Sequence, residues 1–178
     1  KLYDNGQSDE GRALLYLGSA SGPTLTPSWT EPGDQTDSSF ASSVSTAGDI
    51  NGDGYSDVIV GAPYYDNGQS EEGRAFLYLG SASGLPSTPA WTAESNQAGA
   101  SFGWSVATAG DVNGDGFSDV IAGALFYDNG QSDEGRGYLY LGSASGLATT
   151  AVWTVEGNQN INKNCKIGLK ELEKMKLE

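Results

Sequence analysis

Two stretches place oxygen-bearing side chains at a fixed spacing. They are Asp49-Ile50-Asn51-Gly52-Asp53-Gly54-Tyr55-Ser56-Asp57 and Asp111-Val112-Asn113-Gly114-Asp115-Gly116-Phe117-Ser118-Asp119. Counted from the first Asp, oxygen-bearing side chains fall at positions one, three, five and nine, and a glycine falls at six. In a loop wrapped around a small ion, alternate side chains point inward, so Asp49, Asn51 and Asp53 converge. Gly54 admits the positive φ that a sharp turn needs, which turns the backbone carbonyl of Tyr55 toward the same point. Asp57 closes the cage from the start of the next strand. Asp111, Asn113, Asp115, the carbonyl of Phe117 and Asp119 form the second set. Calcium takes six to eight oxygens at about 2.3–2.6 Å in flexible geometry. Three carboxylates bring about −3 of charge to each loop and repel one another unless a cation lies between them. The donor sets predict one Ca2+ per loop.

A helix-loop-helix calcium site needs a bidentate Glu at position twelve. Val60 and Ala122 stand there, and neither ligates through its side chain. The flanks, Ser43-Val44-Ser45-Thr46-Ala47 and Val58-Ile59-Val60, are short and β-rich. These loops therefore join strands. A metal-free Asp-Gly turn is the plain alternative, and the repetition of all four ligand positions argues against it.

The elements that must position the loops recur. Tyr3-Asp4-Asn5-Gly6-Gln7-Ser8 returns at Tyr65 and Tyr127, and Trp29 returns at Trp91 and Trp153, always 62 residues on. Internal repetition of this kind decides the architecture. The unit from Ser105 to Val155 reads as four strands. Ser105-Val106-Ala107-Thr108-Ala109 comes first, and the metal loop comes after it. Asp119-Val120-Ile121-Ala122-Gly123-Ala124 is second and apolar enough to be buried on both faces. The loop from Tyr127 to Gly135 carries the hairpin signal Asn129-Gly130. Gly137-Tyr138-Leu139-Tyr140-Leu141 is third, and Ala151-Val152-Trp153-Thr154-Val155 is the outer strand. Repeats of four strands predict an all-β chain of antiparallel β-propeller blades. A solenoid usually has shorter repeats. Residues 1–159 then hold the last two strands of one blade and two whole blades. About two and a half blades cannot close a ring unless chains assemble or the array is longer.

Residues 160–178 leave the repeat. They carry five of the nine basic residues, with Leu169, Leu172 and Met175 at helical spacing, which fits either a short amphipathic helix or a frayed terminus.

Composition narrows the function. The 178 residues include 23 acidic and 9 basic ones, a net charge of −14. No basic patch lies in the repeats, which argues against nucleic-acid binding. No run of about 18 apolar residues predicts a membrane span. The chain starts at Lys1 without a visible signal peptide and is expected to be a mature piece or a fragment. There is no histidine, so the commonest general base is missing. The single Cys165 excludes an internal disulfide. Weak calcium sites fill best outside the cell.

These residues resemble the FG-GAP repeat, the blade unit of the integrin α-subunit propeller and of many bacterial surface proteins. Phe102-Gly103 and Gly61-Ala62-Pro63 match its two naming motifs, whereas Phe40-Ala41 and Gly123-Ala124-Leu125 depart from them. Ala47-Gly48-Asp49 and Ala109-Gly110-Asp111 lead into the loops. The resemblance covers about residues 3–157. It implies a seven-bladed ring in integrins, calcium on one face and partner binding usually on the other. By position it carries over the same ten ligands, with Tyr55 and Phe117 acting through backbone oxygen.

Three further features have plainer readings. The acids Asp66, Glu71 and Glu72, with counterparts in the other units, read as a solvated hairpin more readily than as a second cation site. Arg12, Arg74 and Arg136 are expected to pair with these acids or with nearby carbonyls. Trp29, Trp91 and Trp153 are expected to pack between blades rather than stack on sugars. The whole predicts a calcium-binding extracellular module for adhesion, with the metal structural, a protein or glycan ligand, and no catalysis of its own. The alternative is an accessory propeller of a secreted enzyme such as a glycan lyase or phospholipase. A homo-oligomer that completes the ring is the partner open to the chain itself.

Overall fold

A computed structural model describes residues 3–4 and 6–157. Every regular element among them is a strand. The first, β1 (Arg12–Leu15), pairs antiparallel with β4 (Trp29–Pro32). A small hairpin of β2 (Gly18–Ser19) and β3 (Gly22–Pro23) lies between them. Two complete four-stranded antiparallel sheets come next. One runs in order β5 (Ser43–Gly48), β6 (Asp57–Ala62), β7 (Arg74–Tyr78) and β8 (Trp91–Glu94). The other runs β9 (Phe102–Gly110), β10 (Asp119–Ala124), β11 (Arg136–Tyr140) and β12 (Trp153–Glu156). The chain thus holds half a blade and two blades in an unclosed arc.

Sequence explains the strand character. In β6, Ile59, Val60, Gly61 and Ala62 are all buried, so the strand reads as a continuous apolar run with no polar face. Its neighbour β7 pairs with it from Val58↔Tyr78 to Ala62↔Arg74. The third strands begin at Arg74 and Arg136, one residue earlier than the alternation predicts. Each of these arginines has an outer-strand partner, Glu94 or Glu156. β9 begins at Phe102, three residues earlier than expected, because Phe102 pairs with Ala124 after a register shift. Its amide also donates to the Glu72 carbonyl at 2.9 Å.

The core lies between successive sheets. Phe40, Val60, Ala62 and Tyr78 form one cluster, with Trp29 and Phe76 against it. Ile59, Leu77, Trp91, Phe102, Tyr138 and Tyr140 are members of the other. Two of the three repeated tryptophans, Trp29 and Trp91, pack between blades. Trp29 meets Tyr78 edge-on at 5.1 Å between ring centroids, and Trp91 meets Tyr140 at 4.9 Å. Each indole N–H donates across the same boundary, Trp29 to the Pro86 carbonyl at 2.8 Å and Trp91 to the Ala148 carbonyl at 3.0 Å. Edge-to-face geometry adds about 0.5–1.5 kcal/mol per pair beyond burial.

Two expectations change. Arg74 and Arg136 reach across the sheet to the outer strand, at 3.7 Å from Glu94 and 3.4 Å from Glu156, rather than to the acids just before them. Strand register sets that choice, because it places each arginine opposite its glutamate. Glu10, Glu72 and Glu134 are buried, not solvated. The short helix expected over 160–178 lies outside the described residues, as does Cys165. Among the described residues no helix is long and apolar enough to cross a membrane.

Candidate metal centre

The loop between β5 and β6 is released by a bulge. Register slips between Thr46 and Gly48, and Gly48 takes φ +80°. The Thr46 hydroxyl oxygen accepts the Gly48 amide at 3.2 Å. A glycine-based bulge of this kind bends the strand and re-aims the next residue, which here is Asp49. Gly54 and Gly116 adopt φ +86° and +92°, as the turn requires.

Inside the loop the oxygens gather neutral donors. Asp49 Oδ1 accepts the amides of Gly52 at 2.8 Å and Asp53 at 3.1 Å, and its Oδ2 accepts that of Gly54 at 2.9 Å. Asp53 Oδ1 accepts the Tyr55 amide at 2.9 Å, and its Oδ2 accepts the Asn51 side-chain amide at 2.9 Å. The second loop repeats the pattern. Asp111 accepts the amides of Gly114 at 2.7 Å, Asp115 at 3.0 Å and Gly116 at 2.8 Å. Asp115 accepts Phe117 at 3.0 Å and the Asn113 side chain at 2.8 Å.

Asp57 and Asp119 are fully buried. Asp57 accepts the amides of Ile50 and Gly80, both at 2.8 Å. Asp119 accepts those of Val112 at 2.7 Å and Gly142 at 2.8 Å. Each carboxylate thereby ties its loop to the end of the third strand. Gly80 and Gly142 do not stand out by residue type, although the Leu-Gly-Ser triplet at 79–81 and 141–143 carries the 62-residue step. They need to be glycine because a Cβ would sit 2.3 Å from the Ser56 carbonyl oxygen, or 2.2 Å from that of Ser118.

The two loops also touch. The Asp49 amide donates to the Ser118 hydroxyl at 3.1 Å, the Ser118 amide to the Asp49 carbonyl at 2.9 Å, and the Ser143 amide to the Ile50 carbonyl at 3.1 Å. Both loops therefore occupy the same end of adjacent blades.

The residues fit a hard cation in kind. Burial raises the Asp57 carboxyl above its ordinary value, amide bonds from Ile50 and Gly80 oppose that, and the charges of Asp53 and Asp49 raise it further. A carboxylate that feels the negative charge of two others suits a divalent cation nearby. Each ionised carboxylate offers about four lone-pair sites, more than the amides engage here. Among the described residues no three acidic, His or Cys side chains close on a common point. The loop acids are turned to backbone amides instead.

Comparison with known proteins defines the class. The FG-GAP repeat family matches residues 40–78 and 102–140, the span from a phenylalanine just before (Phe40) or at the start of (Phe102) the first strand to the end of the third strand in each complete blade. The chain is an FG-GAP repeat protein of the integrin α-like kind. It is 37% identical over 122 residues to integrin alpha pat-2 of Caenorhabditis briggsae, covering 66% of this chain and 10% of that protein. It is 34% identical over 149 residues to integrin alpha-3 of Cricetulus griseus, covering 83% and 14%. Against integrin alpha-IIb of Mus musculus the identity is 36% over 124 residues, covering 68% and 12%. The chain therefore spans a small fraction of the length of the relatives it matches.

Proposed function

We propose that this chain is a calcium-stabilised, extracellular β-propeller segment that serves adhesion by binding a protein or glycan. The observation that carries the reading is the matched pair of loops, Asp49–Asp57 and Asp111–Asp119, held side by side with the same oxygens in the same places. Asp49, Asn51, Asp53, the Tyr55 carbonyl and Asp57 would hold one Ca2+. Asp111, Asn113, Asp115, the Phe117 carbonyl and Asp119 would hold the other. The ion would supply positive charge to the three carboxylates that each loop carries, and its work would be structural. Asp57 and Asp119 pass that order to the blade through Gly80 and Gly142. The integrin α relatives support a cell-surface setting and a protein partner. Further blades, from a longer protein or from second copies, would complete the arc at β1.

Thermal unfolding with calcium and with chelator tests the reading. Binding to the folded state alone raises its stability by about 2.7 kcal/mol at a hundred-fold excess over Kd. The expected result is a higher Tm with calcium and a lower one with chelator. Identical melting curves would sink it.

A further inference from the structure

The second acidic loop of each unit takes no part in holding those two ions. Glu10, Glu72 and Glu134 stand 62 residues apart and are 2%, 0% and 2% exposed. Glu72 Oε1 accepts the amides of Asn67 at 2.8 Å and Gln69 at 3.4 Å, so the carboxylate is aimed into its own loop. Its other oxygen, Oε2, is buried with no hydrogen-bond partner, and the same holds for Oε1 of Glu10 and Oε1 of Glu134. Asp66 folds onto the same loop, where its Oδ1 accepts the Glu71 amide at 2.6 Å. Asp128 does the same with Asp133 at 2.6 Å.

A bare carboxylate oxygen in the interior is costly and calls for a partner. The neighbouring arginine does not serve. Arg74 donates to the Thr92 hydroxyl at 3.2 Å and lies 3.7 Å from Glu94, across the sheet. Arg136 is likewise directed to Thr154 at 3.0 Å and to Glu156 at 3.4 Å. The same unpartnered glutamate oxygen at the same repeat position in every unit is a property of the repeat, not of one packing accident.

We propose that the loops 65–73 and 127–135 each bind a hard divalent cation on the buried glutamate, with Asp66 or Asp128 as the second carboxylate. Two carboxylates balance one such ion. The sites are separate from the Asp-Asn-Asp loops, and Glu10 presents the same oxygen in the first unit.

The two kinds of site differ in chemistry, which makes the test clean. The ten ligands assigned to the Asp-Asn-Asp loops include no glutamate. Protein labelled with 13C at the glutamate side-chain carboxyl carbon is titrated with calcium and followed by NMR. Saturable shifts of buried glutamate signals are expected, and Glu72→Gln with Glu134→Gln should remove two of them. Native mass measurement should then count two fewer calcium ions in that double variant than in the parent. If the variant does not fold, the parent's labelled spectrum decides alone. Glutamate signals that stay fixed while calcium raises Tm overturn the proposal and leave the function standing, because a water or proton then fills the position. Fixed signals with no calcium response of any kind overturn both.

Discussion

A Cβ on Gly61 would lie 2.0 Å from the carbonyl oxygen of Gly103. That oxygen already accepts the Ser43 hydroxyl at 2.8 Å. Gly61 opens the Gly-Ala-Pro of one blade and Gly103 closes the Phe-Gly of the next, so the two motifs meet at the boundary between blades. A single methyl has no room there. Gly61→Ala is expected to cost about 1–3 kcal/mol, as overpacking does, read as a lower urea midpoint. Gly123→Ala is the control. Its nearest obstacle is the Ser105 hydroxyl at 2.7 Å, a side chain that can rotate. Equal losses in the two variants would contradict the close backbone approach.

That contact shows what the sequence could and could not convey. The 62-residue step, the four-strand unit and the half blade were legible because periodicity and turn residues act locally. So were the loops, since Asp49, Asn51, Asp53 and Asp57 lie within nine residues. The second bond of Asp57 was not, because Gly80 lies 23 residues on and only strand register brings it near. Arg74 shows the same limit, since its partner Glu94 is chosen by the β7–β8 pairing. Glu72 looked like one surface acid among several. It is buried because the next blade docks on its backbone, with Phe102 donating to its carbonyl, and nothing in its residue type announces that.

Asp57→Asn separates the backbone role of this residue from its charge. The carboxylate accepts two amides inside the fold. An asparagine offers one acceptor oxygen and turns an NH2 toward the other amide. Leaving a buried donor unmet costs about 1–3 kcal/mol. The variant should therefore melt lower than the parent even in chelator, and calcium should raise its Tm by less. A variant that matches the parent in chelator would show that the two amide bonds contribute nothing.

Trp91→Phe tests the blade boundary. It removes the indole N–H that donates to Ala148 and trims the ring that meets Tyr140. The expected loss is about 1–3 kcal/mol from the unmet carbonyl and the smaller ring. Urea unfolding monitored by circular dichroism measures it. Trp29→Phe should behave alike, since its donation to Pro86 repeats the contact. If both variants unfold with the parent's midpoint, the boundary is held by other contacts.

Alkaline pH should open the same boundary. Burial pushes the Tyr140 phenol up to about 12 from its ordinary 10.0, against the lowering influence of Arg136. Burial raises Tyr138 further, and raises Tyr78 with help from Glu31 and Asp34. The folded chain thus keeps protons that the unfolded chain gives up. The stability linked to these phenols is fully present below the unfolded value near 10 and is lost as pH climbs toward 12 and beyond. Phenolate absorbance and loss of β-sheet signal should therefore rise together across that window. Tyr140→Phe removes one of the three ionisable groups and should shift the transition to higher pH, because a phenylalanine has no proton to lose. Phenolate formation by all three buried tyrosines before any loss of sheet signal would show that their hydroxyls reach water in the folded protein, and that the packing between blades is looser than the ring contacts of Trp29 and Trp91 require.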